Sequence, residues 1–214
     1  MKQLNQYIKE KLIINKDYIE FKITPKSYNE LRKIIEDRYD KLGAGTEQDP
    51  VDFNDIDVSN IDSFCVKYNK GLFESIDFIH IDISNWDVSN VTNMSHMFCR
   101  CSTLKSVGDL SKWNVSKVTD MSWMFYNCKS FNQDLSGWDV SSVTYMGYMF
   151  CGCESFNQDI SNWNVSKVNN MNNMFYCCKK FNQDLSGWNV SNVRYHLEMF
   201  YDCSIKDKYK PKFK

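Results

Sequence analysis

A repeat solenoid, a coil of short strands and short helical turns closed at its start by an α/β cap, is the fold class this sequence predicts. Three observations predict it. Tryptophans fall at Trp86, Trp113, Trp138, Trp163 and Trp188, at intervals of 27, 25, 25 and 25 residues. Met-Phe pairs end at Phe98, Phe125, Phe150, Phe175 and Phe200. A cysteine stands three places after each of those: Cys101, Cys128, Cys153, Cys178 and Cys203. Three markers in one phase establish the period. One unit of 25 residues is too small to bury its own apolar face, so the units must stack and share a continuous core.

The elements follow in order. Residues 1–48 read as the cap. Within 2–14, Leu4, Tyr7, Ile8 and Leu12 fall at helical spacing and read either as part of the cap or as a docking helix for a partner's groove. YIEFKI (18–23) alternates as a strand does. SYNELRKIIEDRYDKLG (27–43) predicts a helix. Ser27 and Glu30 form a capping box, Leu31, Ile34, Ile35, Tyr39 and Leu42 make the apolar stripe, and Gly43 stops it.

The solenoid body spans 49–204, with a degenerate first unit at 49–78 and regular units over about 79–203. In the first unit DIDVSNIDSF (55–64) echoes NWDVSNVTNM (85–94), with Ile56 in the tryptophan's place. A regular unit is VTDMSWMFYNCKSFNQDLSGWDV (118–140). Val118, Met121, Met124 or Phe125, and Cys128 recur at steps of three and four, which predicts a short helical or 3₁₀ turn. Phe131, Leu135 and Trp138, set among Asn, Gln, Asp and Ser, predict a short strand between polar bends. The links WDVSN and WNVSK are turn formers, because their side chains satisfy nearby backbone groups. The basic tail at 205–214, IKDKYKPKFK, reads as a solvated, frayed terminus, with contact to RNA or an acidic protein surface as its alternative.

Charge and cysteine usage narrow the function. The net charge is −1, but it is unevenly placed: the two ends are basic and the repeats between them acidic, which argues against a duplex-DNA face on the repeats. The N-terminus threads charges through its apolar residues and lacks the apolar run of about 7–15 residues that a secretory signal needs. No stretch approaches the roughly 18 apolar residues of a membrane span. The expectation is therefore a cytoplasmic protein with reduced thiols. The in-phase cysteines read as a buried ladder of small hydrophobes. Zinc is the alternative, but the paired CxxC spacing of structural zinc does not occur. Cys99, Cys151 and Cys177 lie off the ladder and are expected to be more exposed. His80, His96 and His196 share no metal spacing.

Asp82, Asp109, Asp134, Asp159 and Asp184 recur in one column. Catalysis by paired carboxylates needs two differently tuned environments, which repetition does not supply. A calcium ladder is the functional alternative, but each unit offers few carboxylates for it. The same column supplies the candidate binding face: Gln133, Asp134 and Ser136, with Gln158, Asp159, Ser161, Gln183, Asp184 and Ser186 in equivalent places, expected to point away from the core by strand alternation. No phosphate loop, nucleophile elbow or zinc-protease motif is present.

The pattern VTxMxxMFxxCxxFNQDIxxWxVS resembles the repeat of the BspA-like leucine-rich-repeat family, known also from mycoplasma lipoproteins, and its Phe-x-x-Cys-x-x-Phe core resembles the Treponema-type leucine-rich repeat. The likeness covers roughly 79–203. It implies a right-handed leucine-rich-repeat-like coil, and adhesion or protein binding rather than catalysis. Typical members are exported, whereas this chain shows no export signal. Short signal-less proteins with a helical start and the FNDIDVSNI entry (53–61) are associated with phages of gut bacteria. The expectation is a non-enzymatic protein–protein interaction module without cofactor or metal. The alternative is a virion-associated phage component or cargo, bound to phage particle proteins through its N-terminal helix.

Overall fold

The computed structural model describes residues 22–66 and 70–213. Leu4, Tyr7, Ile8 and Leu12, and residues 18–21 of the expected strand, lie outside them. Ile23 forms a parallel bridge with Ile56. Helix α1, Tyr28–Leu42, begins where Ser27 accepts from the Glu30 N–H and ends at Gly43, whose N–H still reaches the Tyr39 carbonyl and whose φ of 76° turns the chain out of the helix. Glu30 reaches back to the Lys26 N–H rather than to Ser27 itself. Leu31 and Ile35 are buried, while Leu42 is exposed and off the packed face.

The short strands are β1, Val51–Asp52, β2, Cys65–Val66, β3, Lys70–Gly71, and β4, Ile81–Asp82. β1 pairs in parallel with β4, and β2 in antiparallel with β3. Gly71 is required by close approach, since a Cβ there would lie 1.7 Å from the His96 carbonyl oxygen.

From here the chain is a stack of units, each hydrogen-bonded to the next. The expected helical turn is not helical. Met97 N–H bonds to the Met94 carbonyl and Cys101 N–H to the Phe98 carbonyl, with positive φ at His96 (59°) and Arg100 (62°). These are turns of the kind that reverses at the third residue. Trp123, Tyr148, Asn173 and Glu198 repeat the first reversal, and Asn127, Gly152, Cys177 and Asp202 the second. The reversals turn alternate peptide groups along the stack. The N–H groups of Met94, His96, Phe98 and Arg100 therefore reach the carbonyls of Asp120, Ser122, Met124 and Tyr126 in the next unit, at 2.7–3.0 Å. The same pattern joins the later units, for example Phe150 to Met174 and Phe175 to Met199.

The FNQD segments are not strands either. Asparagine side chains take the place of a backbone ladder there: Asn132 Oδ1 accepts from the Asn157 N–H at 2.8 Å, and Asn157 Oδ1 from the Asn182 N–H at 2.9 Å. Isolated parallel bridges lie instead on the turn side, through Asn93, Asp120, Tyr145, Asn170 and Tyr195.

Three ladders fill the core. Phe73, Phe98, Phe125, Phe150, Phe175 and Phe200 stack with ring centroids 5.2–5.8 Å apart. Each tryptophan corner donates its indole N–H to a carbonyl of the preceding unit, as Trp163 does to Leu135 at 3.0 Å and Trp188 to Ile160 at 3.2 Å. The Cys101, Cys128, Cys153 and Cys178 thiols are buried, and each lies 2.9–3.0 Å from a phenylalanine carbonyl one unit back. Burying the indole with its N–H paired leaves no polar group stranded.

The tail is not frayed. Ile205 is buried in the place that Phe181 holds one unit earlier, and the Lys206 N–H continues the asparagine ladder to Asn182 Oδ1 at 3.0 Å. A 3₁₀ turn, Asp207–Tyr209, follows, and the Tyr209 carbonyl accepts from the Leu185 N–H. Phe213 stacks on His196 at 4.1 Å.

Candidate functional site

The predicted binding column is present, but much of its hydrogen-bonding capacity is turned inward. Gln133 accepts from the Val107 N–H at 2.8 Å and donates to the Gly108 carbonyl at 2.7 Å. Gln158 and Gln183 donate to the Asn132 and Asn157 carbonyls. Asp134, Asp159 and Asp184 each accept from the backbone N–H two residues on, at Ser136, Ser161 and Ser186, at 2.8–3.0 Å. Hydrogen bonds from these serines hold the carboxyls below the usual aspartate range, led by the backbone N–H at Asp134 and Asp159 and by the Ser186 side chain at Asp184. The glutamines tie neighbouring units together and the aspartates shape local turns.

The WDVSN corners show the same economy. Asp87 and Asp139 accept from Ser89 and Ser141 at 3.0 Å, and Asn114, Asn164 and Asn189 accept equivalently at 3.2 Å. Asp and Asn exchange freely at one turn position, so the shared carbonyl oxygen, not the charge, is what the corner needs.

Variation between units is concentrated on the turn side. One position runs His96, Trp123, Tyr148, Asn173, Glu198, and another runs Asn93, Asp120, Tyr145, Asn170, Tyr195. His96, Trp123 and Tyr148 stack in sequence, Trp123 on Tyr148 at 4.0 Å between centroids. Tyr126 packs on Trp123 at 4.6 Å, and Tyr176 on Tyr201 at 5.0 Å. Tyr145, Tyr195, Leu197 and Tyr201 are 50–69% exposed. Asn, Asp and Glu side chains, including Asp120, Asn170 and Glu198, stand among these rings. The sequence carried a signal for this face: while the Met, Phe, Cys and Trp framework stays constant, these positions change from unit to unit.

The off-ladder cysteines divide. Cys99 and Cys151 are buried, contrary to expectation. Burial pushes both thiols up to about 12. Cys177 is partly exposed, with its Sγ 3.5 Å from Asp202, which also pairs with Lys179. His80 and His96 are partly buried and His196 is exposed. His96 Nδ1 is buried without a hydrogen-bond partner, and burial lowers the pKa of the ring. Among the described residues no three His, Cys, Asp or Glu side chains are grouped as metal ligands. No helix among them is long and apolar enough to cross a membrane.

No curated protein and no solved structure matches the chain. A family model described as "Mycoplasma protein of unknown function, DUF285" matches it twice, over residues 46–146 and 103–212. The two matches together take in the first unit, the regular units and most of the tail, so the chain belongs to this family of Mycoplasma proteins of unknown function.

Proposed function

We propose that the stack is a repeat solenoid of leucine-rich-repeat type and acts as a non-catalytic binding module for a protein partner. Its contact surface is the aromatic turn side rather than the Gln133–Asp134–Ser136 column. The observation that carries this reading is the clustering of Tyr145, Tyr195, Leu197 and Tyr201 on one side, beside the Trp123–Tyr148 stack. Tyrosine and tryptophan bury large, rigid area at little entropic cost, and are the residues that anchor protein interfaces. The column, by contrast, spends its amides on neighbouring units. Like units with no paired, differently tuned carboxylates favour recognition over catalysis.

The test is a photo-crosslinking residue placed at Tyr145 in one variant and at Gln158 in another, each expressed in the native cell. A defined protein adduct is expected at position 145 and none at 158. Adducts at 158 alone would return the binding face to the glutamine column.

A further inference from the structure

The four peptide columns of the turn side are directional. In each, carbonyls point toward the start of the stack and N–H groups toward its end, so the peptide dipoles add as they do along a helix. The two ends are therefore chemically unlike. At the start, Arg32 of α1 supplies the missing donors to two of the columns, bonding to the Leu72 and Glu74 carbonyls at 2.7 and 3.2 Å. At the far end the columns finish on the N–H groups of His196, Glu198, Phe200 and Asp202. Their counterparts one unit earlier, Met171, Asn173, Phe175 and Cys177, all donate to the last unit. Among the described residues nothing accepts from these four.

The tail closes only part of this end. It continues the asparagine ladder and lays Phe213 on His196 and Lys210 over the Phe200 ring, but its described residues supply no acceptor to the four amides. The last unit also departs from the pattern. Leu197 is 69% exposed where the other units carry Ser95, Ser122, Gly147 and Asn172.

We propose that this end binds an extended, acidic peptide segment of a protein partner. The segment lays carbonyls on alternate residues across the four N–H groups and covers Tyr195, Leu197 and Tyr201. The joints between successive units define the geometry, because each places carbonyls of alternate residues on this same row of donors. The aligned dipoles and the lysines of the overlying tail favour negative charge in the occupant. Addition of an extended chain to a backbone edge is a general mode of peptide recognition. A second copy is a poor occupant: at its start Arg32 already covers the carbonyls that lead two of the four columns, and at its far end all four expose N–H groups.

The experiment follows backbone amides by NMR in the full chain, with a synthetic peptide of sequence EQDPVDFNDIDV (residues 47–58) as acidic probe. In the free protein the amides of His196, Glu198, Phe200 and Asp202 should exchange faster than those of Met171, Asn173, Phe175 and Cys177. The probe should shift and protect those four. Leu197→Asp should weaken the probe about tenfold through charge repulsion and lost contact while leaving the melting temperature unchanged. Three results would each overturn the proposal: slow exchange of the four amides without probe, equal protection by inorganic phosphate or by the Asn/Gln version of the probe, and protection that grows with the protein's own concentration. Because Tyr145 lies on the lateral face, a partner that shifts only Tyr145 and its neighbours leaves that reading standing while this one fails.

Discussion

Arg32 Nη1 lies 2.7 Å from the carbonyl oxygen of Leu72. The same guanidinium reaches Gly71 and Glu74, and its Nε pairs with Glu36 at 2.7 Å. A single residue of α1 thus satisfies the acceptor end of two peptide columns that run through the whole stack. Only a planar group with several fixed donors does this from one position.

Arg32→Met keeps the aliphatic stem and removes the donors. The Leu72 and Glu74 carbonyls are then left beneath the helix unpaired, at about 1–3 kcal/mol for each buried group. Thermal melting should show a loss of several degrees, only partly recovered by Arg32→Lys. Tyr28→Phe should cost less, about 1 kcal/mol for its one hydrogen bond, from Oη to the Lys70 carbonyl. A melting temperature unchanged in Arg32→Met would show that the cap holds by apolar contact through Leu31 and Ile35 alone.

The thiols give an alkaline signature. Cys101 is pushed up to about 12 by burial, and Cys128, Cys153 and Cys178 are raised well above the ordinary 9.0 for the same reason. A raised folded-state pKa means that the stability is fully present below the unfolded value and is lost as pH climbs through it toward the folded value. The urea midpoint should accordingly fall from pH 9 upward, and a midpoint that rose would contradict the buried ladder. At neutral pH, alkylation followed by mass spectrometry should label Cys177 and Cys203 before Cys101, Cys128, Cys153 or Cys178.

How much of this could be read from the sequence depends on whether side chains or backbone carry the information. The ladders of Trp, Phe and Cys and the Ser27 cap were legible because each repeats one side chain in one role. The turns were not. Val118, Met121, Met124, Phe125 and Cys128 sit at helical spacing, yet reversals at Trp123 and Asn127 also send every third or fourth side chain inward. Glycine marks only one of these reversals, Gly152, so the usual cue to positive φ is missing elsewhere. The asparagine ladder hid the absence of strands at FNQD, since Asn132 and Asn157 do with side chains what a strand does with carbonyls. Polarity and repetition likewise cannot reveal that Gln133 in the predicted binding column is already bonded on both sides.

The aspartate turns give an acid signature of opposite sign. Ser136 and Ser161 donate backbone N–H bonds to Asp134 and Asp159, and this holds those carboxyls below 3.8. A depressed pKa contributes stability above the unfolded value that is lost as pH falls through the folded one. The stack should weaken only below about pH 4, in line with the unfolded aspartate value. Asp159→Asn retains the acceptor and should be nearly neutral at pH 7, as Asn164 already is at its own corner. Asp159→Ala removes the acceptor and should cost about 0.5–1.5 kcal/mol. Equal losses in both variants at pH 7 would mean that charge, not the hydrogen bond, holds the turn.

Trp163 and Trp123 separate framework from surface. Trp163 is buried, donates to the Leu135 carbonyl at 3.0 Å and lies 6.2 Å from the Phe150 ring. Trp163→Ala opens a cavity and strands that carbonyl, at about 3–5 kcal/mol, a large fraction of a typical total of about 5–15 kcal/mol. Trp163→Phe restores volume but not the donor and should recover only part of the loss. Trp123 is partly exposed, and its main contacts are the stack on Tyr148 and the tilted pair with Tyr126. Stacking of this kind contributes about 0.5–1.5 kcal/mol beyond area, so Trp123→Ala should leave the fold intact and, if the aromatic side is the binding face, weaken partner binding far more than stability. Denaturant melts of the two alanine variants, set beside the Tyr145 crosslink yield measured in the Trp123→Ala background, read both effects. Comparable destabilisation at the two positions would place Trp123 in the core and remove it from the proposed contact surface.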